Sequence, residues 1–541
     1  LDRQWQAIEE MFRDEPGERI DLVGELSREM PHLAEFADLD RPLAMVVGVP
    51  DLMGGQDPDF LFIVPIIERP GTSIETVMEE EEVTYLIEGE YLAFSTGSLI
   101  VPAVEIPDLA LGLSPGFISA SLNLGTVLEA YRPLVEMGLG AMANAPALPD
   151  SQAIEAGPHP QQMSPEEVAA MQDLAHLVMA SARRFDLAFA SDGEELTLHS
   201  GFSVQPGSPL DPGPQPEFEH ALQLTRLLPP GGNIIQTMAL DQTRQFEVFR
   251  DFYLVSAEKQ IADLPPEQAA AYRTWVESYL DSVDLFANPL AASIRMSAAS
   301  MSANIVMECA DAAVSLERFA ALFEGLSALD IGVKMKKMPT GKVAGTEVRS
   351  WTIDYDLEKM AGLSPQPANP KPGGTGRLQA DQMIAFLRKV TPNLNLAVRG
   401  DYLILSADKD PSNLAHMIQL AGQRRGAAHP PTAAAATKAG PACQQVVTGD
   451  LMAILSWITE WMEELEDEEY ATIEGNPIPF TATSTIEGAA YGLDWTMDMP
   501  AVKRFVKAVQ ELEAMENRHD DAGDDEDDGD ENDDEEAKDS D

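Results

Sequence analysis

Apolar and polar residues alternate over short runs through much of the chain, and pairs of such runs give way to segments with helical spacing. The alternation predicts strands over 42–48, 59–66, 83–88 and 91–96, the last two joined at Gly89-Glu90. Residues 165–182 read as a helix, with Ser164 as N-cap and Pro165 in the first helical position. A hairpin follows over 185–191 and 194–200, turning at Asp192-Gly193. Helices are expected at 216–228, 241–261 and 266–286. Strand patterning returns at 292–298, 303–309, 331–338, 346–355, 393–399 and 402–406, with helices at 316–328, 380–390, 411–422, 450–465 and 500–515. Pro- and Gly-rich stretches at 145–164, 205–216, 363–377 and 426–442 read as linkers. The last, with its Ala run and Pro430-Pro431, reads as a flexible insertion.

The elements repeat. Ile87-Glu-Gly-Glu-Tyr91-Leu-Ala-Phe-Ser95 matches Val398-Arg-Gly-Asp-Tyr402-Leu-Ile-Leu-Ser406 at an offset of 311. Phe185–Leu198 matches Phe480–Leu493 at an offset of 295, with Asp192-Gly193 against Glu487-Gly488. A weaker match sets Leu124-Gly125-Thr126-Val127-Leu128 against Thr448-Gly449-Asp450-Leu451-Met452. Gly beside an acid supplies a tight turn, and the Tyr and Leu after it open a strand with alternate residues facing a core. The expected fold is α+β: two related halves of antiparallel hairpins and sheets backed by helices. A helical segment over 1–40 precedes a first half at 41–240, a helical connector at 241–290 and a second half at 291–515. An acidic tail at 516–541 is expected to stay disordered.

The unit of Gly, acid, Tyr, Leu and Ser, followed by a helix from Pro411 to Leu420, resembles a group of uncharacterised exported bacterial proteins. These are built from duplicated hairpin-plus-helix units, with domains of unknown function. The resemblance covers the two repeat cores and implies no known activity and no catalytic residues.

Charge narrows the partners. The 541 residues hold 36 Lys+Arg against 91 Asp+Glu, a net charge of −55. A phosphate backbone would be repelled, so nucleic acid is not an expected partner. No run of 18 apolar residues occurs, so no membrane span is expected. Residues 520–541 alone hold 15 Asp+Glu and one basic residue, Lys538. Asp524, Glu526, Asp528, Gly529, Asp530, Asn532 and Glu535 fall on the spacing of a calcium loop. Glu531 stands where an apolar anchor belongs, however, and the chain is too short beyond Glu535 for an exit helix. The tail is expected to condense cations weakly or to meet a basic partner. Lys334, Lys336, Lys337 and Lys342 form the dense basic cluster, read as an edge strand guarded by lysines, with docking of the tail as the alternative.

The chain opens at Leu1 in a helical pattern (Trp5, Ile8, Met11, Phe12), as removal of a signal peptide or other trimming would leave it. Export to the periplasm or the extracellular space is the expectation. Cys309 and Cys443 are read as buried thiols; a bond between them is the alternative that export would permit.

Catalytic patterns are incomplete. Gly112-Leu-Ser114-Pro115-Gly116 has the spacing of a nucleophile elbow, but Pro115 lacks the N–H that an oxyanion hole needs there. Ser256/Lys259 and Ser406/Lys409 have a serine–lysine spacing without its companion motifs. Gly138-Leu-Gly140-Ala-Met-Ala143 reads as a glycine turn ending a helix over 126–137, and Gly373–Gly376 lacks a phosphate-loop lysine. Glu217 and His220, one turn apart, could share a metal, although His220 reads as a surface residue. Trp457 and Trp461 are expected to pack in a core. No catalytic residue and no cofactor is assigned. The leading expectation is an exported, non-enzymatic binding or structural protein whose ligand sits between the halves. A hydrolase without a local motif, and a calcium-responsive protein acting through its tail, are the alternatives.

Overall fold

The computed structural model describes residues 36–37, 44–47, 60–67, 74, 78, 84–88, 90–95, 118–143, 165–356 and 393–510. The last two stretches are broken by short gaps at 192–193, 263, 298–299, 330–331, 409, 424–426 and 467–474. The first part contains β1 (Ala44–Val47), β2 (Phe60–Pro65), β3 (Thr84–Glu88), β4 (Tyr91–Ser95) and β5 (Ile118–Leu122). Helices α1 (Leu124–Ala143) and α2 (Pro165–Ser181) then lead into β6 (Ala182–Ser191) and β7 (Glu195–Val204). A short helix α3 (Phe218–Leu224), strand β8 (Ile234–Met238) and helices α4 (Thr243–Ala262) and α5 (Pro266–Leu280) follow. The second part runs β9 (Leu290–Ser297), β10 (Ser300–Glu308), α6 (Ala312–Ala328), β11 (Val333–Lys337), β12 (Gly341–Val343), β13 (Thr346–Tyr355), β14 (Leu394–Arg399) and β15 (Tyr402–Ala407). It continues through α7 (Pro411–Gln423), α8 (Pro430–Ala439), β16 (Cys443–Asp450), α9 (Leu451–Glu466), β17 (Pro479–Glu487) and β18 (Ala490–Asp498), and closes with a helix over 499–510.

The fold is α+β with antiparallel sheets. Four strands pair in the order β1-β2-β4-β3; a larger sheet runs β11-β13-β14-β15-β10-β9-β8-β16-β17-β18-β7-β6-β5. Alternation decides which face each strand residue covers. On one face of the large sheet Val306, Val348, Ala397 and Ile404 pack beneath Leu414, Met417 and Ile418 of α7. On the other, Met307, Trp351, Leu396 and Leu403 pack beneath Phe319 and Ala320 of α6. Layering helices on both faces removes water from each set of alternate side chains.

Registers expose the duplication. Glu88 lies opposite Tyr91, and Arg399 opposite Tyr402, so the β3–β4 and β14–β15 hairpins share one register and a two-residue turn. The neighbours correspond too, with β1-β2-β4-β3 matching β9-β10-β15-β14: Ala44 faces Ile63 as Ala291 faces Val306. Likewise β5-β6-β7 matches β16-β17-β18, with Leu187 opposite Ser200 and Ala482 opposite Trp495. The weak third match needs a shift of three residues. Leu122 pairs with Phe185 and Gly449 with Phe480, so Leu122, not Gly125, is the partner of Gly449. The helix then starts at Leu124 in one copy and Leu451 in the other.

The two copies meet at β7 and β18. His199 lies opposite Asp494, 295 positions away, so equivalent residues face one another about a local twofold axis. Strand β8 bridges β9 and β16 in the second copy; among the described residues no strand bridges β1 and β5.

Two expectations are corrected. The stretch 426–442 is not a flexible insertion: it contains α8, because Pro430 and Pro431 occupy its first turn and Ala is the best helix former. Its Thr432 is fully buried. Gly138 and Gly140 lie inside α1, which runs to Ala143, rather than at a terminating turn. Ser164, Gly89, Gly193, the segment 380–390 and the acidic tail lie outside the described residues.

Candidate functional site

The segment between β7 and α3 is rich in Pro and Gly, yet it is tightly tied. The Asp211 carboxylate accepts the N–H of Gly207 on Oδ2 (2.5 Å) and of Gly213 on Oδ1 (2.9 Å). Both glycines have positive φ, 75° and 66°, which L side chains rarely adopt. These two N–H groups, with the Arg244 charge beside them, hold the Asp211 carboxyl below its usual range against a smaller opposing effect of burial. The Gln215 side-chain oxygen accepts the N–H of Asp241 (2.9 Å), and its amide nitrogen donates to Pro212 O (2.9 Å). Asp241 Oδ1 in turn accepts the N–H and hydroxyl of Thr243, capping the start of α4. From the second copy, the Tyr491 hydroxyl donates to Leu210 O (3.0 Å) and accepts from Gln245 Nε2 (2.9 Å). Burial raises the Tyr491 phenol above its ordinary pKa, so it stays protonated to donate.

This network borders a half-open cavity of about 260 Å³ between the loop, α4 and β18. Residues 245, 246, 249 and 253 fall on one face of α4 by helical spacing and, with Gln242 just before the helix, present Gln245, Phe246, Phe249 and Tyr253 to it. Phe246 and Tyr253 lie nearly parallel, with ring centroids 6.5 Å apart. Gln245 Oε1 is enclosed and has no hydrogen-bond partner. Across the loop a second cavity, of about 510 Å³, lies between Asp211, Gln215, Gln444 and the β17–β18 turn.

No family model, no curated protein and no solved structure matches this chain.

Residues singled out from the sequence lie elsewhere. Ser114 and Gly373–Gly376 fall outside the described residues. Ser256 and Lys259 share α4, and Ser256 does not line the cavity. Ser406 is buried, and its hydroxyl donates to Asn304 Oδ1 (2.8 Å), a packing role. His220 is exposed and faces Glu308 (3.2 Å), while Glu217 sits at the N-cap of α3. Among the described residues no group of three His, Cys, Asp or Glu is placed to share a metal ion. Cys309 and Cys443 are both buried and free. Lys337 pairs with Glu324 and Lys334 approaches Asp356 on β11, an edge strand of the large sheet. Among the described residues no helix is long and apolar enough to cross a membrane.

Sequence reasoning looked for a cleft between the halves and named none of the residues that line this cavity. The helical spacing of Phe246, Phe249 and Tyr253 was readable. The approach of Tyr491, 246 positions from Gln245, was not.

Proposed function

We propose that this protein binds, rather than converts, a small molecule with an apolar ring-sized face and one hydrogen-bond donor, held in the aromatic cavity between the two copies. The enclosed amide oxygen of Gln245 carries the reading. A buried acceptor left unpaired costs about 1–3 kcal/mol, which a ligand donor would recover. Phe246, Phe249, Tyr253 and Tyr491 supply the apolar wall typical of such sites. Two polar groups of the wall are occupied in holding the loop: Asp241 caps α4, and the Tyr491 hydroxyl is bonded on both sides. A general acid or base would need a proton or lone pair directed at a substrate.

The test is ligand-observed NMR with a set of neutral aromatic fragments, run on the full chain and on Phe249→Trp, which fills the cavity. Binding that is saturable in the wild type and lost in the variant is expected. If no fragment distinguishes the two proteins, the reading falls.

One observation favours a hydrolase instead. His199 Nδ1 and Asp494 Oδ1 are 2.6 Å apart, the arrangement of a base and its orienting carboxylate. Hydrolysis of p-nitrophenyl butyrate that disappears in Asp494→Asn would carry that second reading; equal background in both proteins would end it.

A further inference from the structure

The second cavity is chemically different from the first. Strand β16 bulges between Cys443 and Gln445, so Gln444 is an extra residue facing neither regular row of the sheet. Bulges of this kind re-aim a side chain and gather beside functional sites. Here Gln444 forms part of the cavity wall, is only 6% exposed, and its Oε1 has no hydrogen-bond partner. Asp211, whose carboxylate is fixed by Gly207 and Gly213, lines the same cavity. Pro206, Pro214 and Ile486 supply apolar surface, and a Cβ placed on Gly488 would meet nothing within 4 Å, so the turn leaves open space. Arg244 lies against Gly213, where a Cβ would come within 2.7 Å of its Nη1, at the rim nearest Asp211.

Two acceptors, one of them anionic, over an apolar floor match a group that only donates. We propose that this cavity is a second binding site, for a primary ammonium group carried on an apolar body. The ammonium has three donors and no acceptor, so it can meet Gln444 Oε1 and the Asp211 carboxylate together. It shares the carboxylate with Arg244, whose guanidinium approaches from the Gly213 side. The net charge of −55 favours the arrival of such a cation over that of an anion.

Benzylamine is the probe, with benzyl alcohol as its neutral counterpart of similar shape. In full-length protein labelled with [15N]glycine, the amide signals of Gly207, Gly213 and Gly488 report on the cavity, and those of Gly345 and Gly400 report on distant turns. Benzylamine is expected to shift the first set saturably and leave the second unmoved. Gln444→Met, which keeps the side-chain length, should weaken binding about tenfold or more, and Asp211→Asn should do likewise. Unmoved signals of Gly345 and Gly400 in each variant certify its fold. Phe249→Trp should bind benzylamine as the wild type does, which separates this site from the aromatic cavity. Equal shifts with benzyl alcohol, no saturable shift, or unchanged affinity in Gln444→Met would each overturn the proposal.

Discussion

Gln444 makes a prediction about stability as well as binding. Its amide oxygen is enclosed without a partner, and its residue is only 6% exposed. Such an acceptor costs the fold about 1–3 kcal/mol of desolvation with no compensating bond. Gln444→Met removes the acceptor and keeps an unbranched chain of similar length, so it should stabilise the bulge by about that amount. The backbone bond from Ala239 N–H to Gln444 O does not involve the side chain and persists. A midpoint of thermal unfolding is a poor readout, because a chain of this size need not unfold in one step. Hydrogen exchange of peptides spanning 443–450 reads the local free energy, and the expected slowing is about 5- to 150-fold. Unchanged or faster exchange would show that the oxygen is satisfied in solution, for instance by an ordered water. The bulge would then hold no unmet acceptor, and the case for a site there would fail with it. If exchange slows while benzylamine affinity drops, stability and binding trade against each other at one atom.

Gly449 and Phe480 pack closely. A Cβ at 449 would lie 2.5 Å from Phe480 Cε1 and 3.2 Å from Asn233 O, and the Phe480 ring is already stacked on Trp495 at 5.6 Å. Gly449→Ala should therefore cost about 1–3 kcal/mol, read as faster hydrogen exchange of peptides spanning 443–450, and exchange as in the wild type would contradict the packing. Burial pushes the Cys443 thiol up to about 11. The unfolded thiol ionises first, so stability is intact below the ordinary value near 9 and falls as pH rises until it passes about 11. Iodoacetamide at pH 8 should label Cys443 only after denaturation, as mass spectrometry would show; rapid labelling of the native protein would refute its burial. Ser406→Ala removes the donor to buried Asn304 and should cost about 1–3 kcal/mol, measured as faster hydrogen exchange of peptides spanning 402–407; a neutral result would mean that Asn304 finds another donor.

Much of this was legible where a segment carries its own period. Residues 346–355 form β13 with the expected bounds, and the Gly400 turn takes the positive φ, 64°, that its hairpin requires. Strand β5 was hidden because Ile118-Ser-Ala-Ser-Leu122 alternates with small residues that carry little hydrophobic signal. Strand β16 was hidden because the Pro- and Ala-rich stretch before it read as linker, and β8 because five residues after Pro229-Pro230-Gly231-Gly232 carry too short a period, although tertiary pairing with β17 and β9 is what orders them. The candidate site was still less visible. Gln245 and Tyr491 line one cavity and Asp211 and Gln444 the other, brought there by the β7–β18 and β8–β16 pairings, which no local pattern encodes.

The β7–β18 pairing has one further consequence, which lies at His199 and Asp494. In a pair of identical chains joined the same way, this position would face itself across the axis, and any ionised side chain there would meet its own sign. Carrying both related halves on one polypeptide permits an imidazole on one side and a carboxylate on the other, 2.6 Å apart. The join is thereby made one-of-a-kind: a first copy can mate with a second, whereas two first copies or two second copies would confront like with like.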